Sequence, residues 1–283
     1  PWFQAALAGG SGSPDRDRYL FADGRGPDGS EPPNNWPSLF GGPGWMRVTE
    51  PDGRPGQWFL HVFAPEQPDL NWDNPVVRMD FEEILAFWLD RGVDGFRIDV
   101  AHAMVKADGL PDIPAEYIAG ERMPDGDHPH WDRPGVHEIH RAWRRIADGY
   151  KGSRMLIGEI GVFDQTRLVD YLRPDELHAA FNFAYMGAPW EPEALRAVID
   201  ETLEAHRRVA ATPTWVLSNH DATRQVTRLG RPYAGIRNRE LDDIQPTDLA
   251  LGTRRARAAI LLTLALPGCA YLYQGEELGL WEV

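Results

Sequence analysis

A chain of 283 residues, 42% of them hydrophobic, is long enough to bury a sizeable core and reads as globular rather than disordered. Its 29 basic and 43 acidic side chains leave a net charge of −14, which repels nucleic-acid phosphates and anionic lipid, so a neutral small molecule is the expected partner. The single cysteine, Cys269, excludes an internal disulfide framework and a four-thiolate metal site. The longest apolar stretch, around Ala258 to Leu266, is far short of the ~20 residues that span a bilayer, and the chain reads as soluble and cytoplasmic. It opens on Pro1, not methionine, so the native N-terminus, and with it any leader peptide, is expected upstream.

Residues 1–67 are dense in Gly, Pro, Asp and Asn and carry little helical periodicity, which predicts an irregular, loop-rich module. Its aromatics Trp36, Phe40, Trp45, Trp58 and Phe59 are expected mostly in its own small core. After Asn74-Pro75 the pattern changes. Phe81, Ile84, Leu85, Trp88 and Leu89 form the stripe of an amphipathic helix, and the apolar segment 93–99 then reads as a buried strand ending in charge. Helix and strand alternate again: Val136, Ile139, Trp143 and Ile146 precede the strand 154–158, and Leu195, Val198, Ile199 and Leu203 precede the strand 214–217. A helix over 253–266 ends at Pro267-Gly268, before a strand over 269–273. Such units imply a parallel sheet covered by helices.

Asp99, Glu159 and Asp221 each fall at or just past the C-terminal end of an expected strand, where a (β/α)8 barrel builds its active site. They are 60 and 62 residues apart, so only a closed or strongly curved parallel sheet makes them converge. A flat doubly wound sheet would also cluster strand ends, but the Gly-rich phosphate turn that would support it is missing. Cleavage of a glycosidic bond with retention needs one attacking carboxylate and one carboxylic acid, ~5–5.5 Å apart. Arg97 shares a strand face with Asp99 and holds it ionised, which suits a nucleophile; Glu159 follows the apolar Leu156-Ile157-Gly158, where desolvation suits an acid/base. His220 and Asp221 offer a donor and an acceptor to sugar hydroxyls.

Gly95-Phe96-Arg97-Ile98-Asp99-Val100-Ala101-His102, Ile157-Gly158-Glu159 and Ser218-Asn219-His220-Asp221 resemble three ordered signatures of the α-amylase superfamily, glycoside hydrolase family 13. Gln67-Pro68-Asp69-Leu70-Asn71-Trp72 is similar to the close of that family's inserted loop domain, and Gly275-Glu276-Glu277-Leu278-Gly279 to the segment after its last barrel strand. Pro32-Pro33-Asn34-Asn35-Trp36 with Phe40-Gly41-Gly42 resembles the α-glucosidase and oligo-1,6-glucosidase branch. The resemblance implies a partial (β/α)8 TIM barrel, about strands four to eight, with 1–67 as the inserted domain after strand three and 68–283 as the C-terminal part of the catalytic barrel. Strands one to three are expected upstream of Pro1.

It further implies that Asp99 is the nucleophile, Glu159 the acid/base and Asp221 the transition-state stabiliser, with Arg97 and His220 binding the terminal glucose. Arg224 matches an arginine that holds this sugar and favours exo cleavage. His102 stands where amylases often carry lysine, and Val100 at a position whose valine leans toward α-1,6 linkages. Phe63 is expected either to pack on a sugar ring or to be buried. The implied activity is hydrolysis of short α-1,4 or α-1,6 glucosides; a transglycosylating or isomerising relative and an inactive carbohydrate-binding homologue are the alternatives. No cofactor and no metal ligand are assigned in this chain, since the family's calcium or magnesium sites usually lie in the N-terminal part. His128, His130, His137 and His140 are read as a solvated loop and helix face in preference to a zinc site. Glu276, Glu277 and Asp94 are read as caps or solvated turns, and Arg254, Arg255 and Arg257 as exposed surface.

Overall fold

Pro75 pre-sets the first helical turn after Asn74, whose side-chain oxygen accepts from the Val76 amide at 2.9 Å, so the predicted helix runs from Pro75 to Leu89. A computed structural model describes residues 1–118, 123–232 and 246–282. The chain divides into two compact units: Pro1–Val93 with Ala101–Tyr150, and Asp94–Val100 with the chain from Lys151 onward.

In the first unit the loop-rich segment contains more regular structure than its composition announces. It holds a helix, Trp2–Gly9, and an antiparallel sheet of β1 (Phe21–Ala22), β2 (Trp45–Thr49) and β3 (Pro55–Leu60) in the order β1-β3-β2. A register shift between Arg47 and Thr49 breaks the alternation that would have marked β2 as a strand. Trp36, Trp45, Leu60, Val62 and Ile113 form the core here, and the buried indoles find acceptors: Trp36 Nε1 donates to the Pro111 carbonyl at 2.8 Å and Trp45 Nε1 to Asn34 Oδ1 at 2.7 Å. Phe59 is buried as expected, whereas Phe40 is 66% exposed. The helix Pro75–Leu89 packs on Val136–Asp148 through Phe81 and Trp143, with Trp72 edge-on to Trp143.

In the second unit β4 (Gly95–Ile98), β5 (Met155–Gly158) and β6 (Ala179–Ala180) form a parallel sheet in that order, and β7 (Thr214–Val216) pairs in parallel with β8 (Cys269–Tyr271). The Thr214 hydroxyl donates to the Ala180 carbonyl, tying the two sheets together. Gly95 has a strict reason: a Cβ there would meet the Met155 carbonyl oxygen at 2.1 Å. The core of this unit gathers Tyr185, Val198, Leu217, Val226 and Ala259 around a fully buried Trp215, whose Nε1 donates to the Pro267 carbonyl at 2.9 Å. The helix Leu249–Ala265 begins four residues before the predicted Thr253, because Asp248 caps it by accepting from the Leu251 amide at 2.8 Å. These five parallel strands correspond to the fourth to eighth of the expected barrel. Only β6, two alanines long, lacks a periodic signal of its own.

Candidate active site

The β4–β5 register pairs Gly95 with Met155, Phe96 with Leu156, Arg97 with Ile157 and Ile98 with Gly158, a constant offset. The next rung is Asp99 beside Glu159, and the Glu159 amide continues the ladder by donating to the Ile98 carbonyl at 2.9 Å. Sequence spacing and strand pairing therefore place two carboxylates side by side at the C-terminal ends of neighbouring strands.

Arg97 spans both. Its Nη1 bonds Asp99 Oδ1, and its Nη2 lies 2.9 Å from Glu159 Oε2. The two acids nevertheless sit in different surroundings: the Asp99 side chain is 72% exposed and that of Glu159 only 13%. Burial pushes the Glu159 carboxyl above the usual carboxylate range. A hydrogen bond from the Val100 amide and the Arg97 charge act against that rise, and the hydrogen-bonded Asp99 carboxyl adds to it. The Val100 amide donates to Glu159 Oε2 at 3.2 Å from a backbone with φ +43°, left-handed for a β-branched residue.

The third carboxylate is held differently. The Asp221 amide is fixed by Asn219 Oδ1 at 2.9 Å, and His220 Nε2 lies 3.4 Å from Asp221 Oδ2. Behind this turn sits a buried frame that sequence reasoning missed. Arg228, 3% exposed, donates to the Leu217 carbonyl at 2.6 Å and to the Met186 carbonyl at 2.8 Å. Burial lowers its guanidinium to about 10, with the Glu276 charge acting the other way. Glu276 accepts from the Ser218 hydroxyl and from the Tyr273 amide, the latter at 3.1 Å, and burial raises its carboxyl. The expectation of a solvated Glu276 is corrected: the residue is 6% exposed and joins the end of β8 to the end of β7. Apolar spacing carries no mark of these two buried charges; the only signal was that both lie near the ends of apolar elements.

Arg224 is turned to the chain after β8: its Nη1 donates to the Gln274 carbonyl at 2.8 Å, its backbone amide to Glu282 Oε1 at 2.8 Å, and its guanidinium lies 5.1 Å from the Tyr273 ring centre. His102 and Phe63 belong to the other unit. His102 is buried and stacked on Trp131, ring centres 5.4 Å apart; Phe63 is half-buried and edge-on to Phe40 at 5.7 Å. The assignment of His102 as a sugar contact rests on the resemblance, and that of Phe63 on its aromatic ring at the end of the loop-rich module.

The histidine reading also needs correction. His130 and His140 are 2% and 0% exposed rather than solvated, and burial holds the His140 imidazole down at about 3 and that of the half-buried His128 at about 4. Among the described residues no group of three or more His, Cys, Asp or Glu is placed to hold a metal ion. Asp94 stays exposed against Arg154 at 3.3 Å, and exposed Glu277 caps the Gly275 amide, as expected for turns. Arg254 and Arg257 are exposed, while Arg255 is half-buried and donates to the Leu229 carbonyl at 3.1 Å. Among the described residues no helix is long and apolar enough to cross a membrane.

Over residues 1–283 the sequence matches the α-amylase catalytic domain, and the chain belongs to that family. An oligo-1,6-glucosidase of Parageobacillus thermoglucosidasius is 34% identical over 300 aligned residues, covering 100% of this chain and 48% of that protein. A trehalose-6-phosphate hydrolase of Escherichia coli K12 is 34% identical, over 99% of this chain and 47% of its own length. Among solved structures, an α-glucosyl transfer enzyme superposes with a TM-score of 0.78 at 32% identity, over 100% of this chain and 50% of that one. The isomaltulose synthase of Erwinia rhapontici NX5 gives 0.79 at 28% identity, over 99% and 47%. The chain spans about half the length of the curated relatives it matches. Its fold is thus the (β/α)8 barrel in part, from about the fourth strand to the eighth.

Proposed function

We propose that the complete protein is a retaining α-glucoside hydrolase that releases glucose from short α-1,4 or α-1,6 glucosides. The observation that carries this reading is one guanidinium bridging two carboxyls on consecutive parallel strand ends, one exposed and one half-buried with its proton affinity raised. An ionised Asp99 attacks the anomeric carbon while protonated Glu159 gives its proton to the leaving oxygen; Glu159, now a base, takes a proton from the water that cleaves the glucosyl–Asp99 ester. Asp221 stabilises the charge developing on the sugar ring, and His220, Arg97 and Arg224 hold the terminal glucose. The names of the oligo-1,6-glucosidase and trehalose-6-phosphate hydrolase relatives support hydrolysis of an α-glucoside. A second reading, transfer of the glucosyl group to another sugar, draws on the transferring and isomerising structural neighbours; water and a sugar hydroxyl compete for the same ester.

The test is glucose release by the full-length protein from 4-nitrophenyl α-glucoside, isomaltose and trehalose 6-phosphate, beside Asp99→Asn, with the anomer of the first-formed glucose read by proton NMR. Release of α-glucose by the wild type alone supports the reading. Release of β-glucose overturns retention, a disaccharide product moves the assignment to transfer, and no turnover by a folded wild type leaves a binding role.

A further inference from the structure

The residue after the candidate nucleophile has a backbone conformation that its side chain disfavours. Val100 has φ +43°, in the left-handed region where a β-branched residue is a genuine outlier. Such strain persists only where the surroundings enforce it. Here the turn carries the chain away from the end of β4 with the Val100 N–H aimed sideways, 3.2 Å from Glu159 Oε2. That oxygen is the one Arg97 Nη2 reaches at 2.9 Å. Oε2 therefore has two donors from β4 and the turn after it.

We propose that the strained Val100 amide is a positioning group for Glu159: it fixes the carboxyl's rotamer and sets its proton affinity through the backbone, whichever side chain residue 100 carries. The proposal rests on the reading of Glu159 as acid/base. A general acid must be protonated when the leaving group departs and ionised when water attacks, so its affinity has to lie between extremes. Desolvation raises the half-buried carboxyl toward the protonated form; the Val100 N–H, which favours the ionised form, acts with the Arg97 charge to draw it back.

The experiment replaces the Asp99–Val100 amide by an ester in the full-length protein, through incorporation of α-hydroxyisovaleric acid at position 100, which exchanges the N–H donor for an oxygen and keeps the isopropyl group. The Glu159 carboxyl, followed by carbon-13 NMR, is expected to titrate about one pH unit higher. The alkaline limb of kcat/KM is expected to rise with it, with kcat about tenfold lower and KM nearly unchanged. A purely structural role would lower activity without moving the titration, and an unmoved Glu159 overturns the proposal. Should the ester fail to fold, the wild type decides: the Val100 amide proton shift is expected to follow the Glu159 titration and to stop doing so in Glu159→Gln, and an amide indifferent to it overturns the proposal. If the titration moves but the wild type turns over no glucoside, the hydrogen bond stands and the catalytic reading falls.

Discussion

The ends of β4 and β5 and the ends of β7 and β8 each present a carboxylate, and they do it by different physical means. At β4–β5 the ladder register alone sets Asp99 beside Glu159, and a single half-exposed arginine bridges them. At β7–β8 the acid lies five residues past its strand, on a turn steadied from behind by buried Arg228, Ser218 and Glu276. Strand pairing is thus enough to fix a residue one step beyond a ladder. A residue several steps beyond needs a frame, and a frame made of buried charge is costly to disturb.

The largest expected effect breaks the first region chemically. Asp99→Asn in the full-length protein is expected to lower kcat on the order of 10⁴-fold, since an amide cannot form the ester, with the fold intact by circular dichroism. Arg97→Lys is expected to cost about 10²-fold in kcat/KM, because an ammonium reaches one carboxylate where the fork reaches two, and steady-state kinetics check it.

The second region is expected to break by stability first. Arg228→Met leaves the Leu217 and Met186 carbonyls without their buried donor, an expected loss of about 3 kcal/mol in urea unfolding. Ser218→Ala removes one hydroxyl donor to Glu276 and is expected to cost about 1 kcal/mol; a fall in kcat larger than the fall in stability implies would show that the frame also aims Asp221.

The smallest effect sharpens the contrast through pH. The folded Glu276 carboxyl is raised by burial, so between the unfolded value of about 4.3 and its raised native value the folded state binds more protons than the unfolded one. Stability from this group therefore declines as pH rises through that window and is level above it. Glu276→Gln cannot titrate and is expected to flatten that decline, measured as Tm against pH.

Much of the fold was written in periodicity. The stripe from Phe81 to Leu89 and the apolar run before Asp99 follow from burial on one face or on both, and the structure has a helix and a strand there. The loop-rich segment hid its sheet, because glycine and proline dominate its composition and β2 carries a register shift. The buried His130 and His140 and the buried Glu276 were misread for a common reason: polar residues are solvated by default, and only their neighbours in space decide otherwise.

The sequence by itself determined the alternation of the main helices and strands after Pro75, the charged residues at the ends of apolar strands, and the offset that makes Asp99 and Glu159 neighbours once those strands pair. Tertiary structure decided what the chain order leaves free: which acid is exposed and which desolvated, the left-handed turn that turns the Val100 amide onto Glu159, and the Arg228–Glu276 frame behind Asp221. Periodicity reports only whether a side chain faces a core, whereas proton affinity and aim depend on atoms brought within hydrogen-bond reach from residues about 60 positions away.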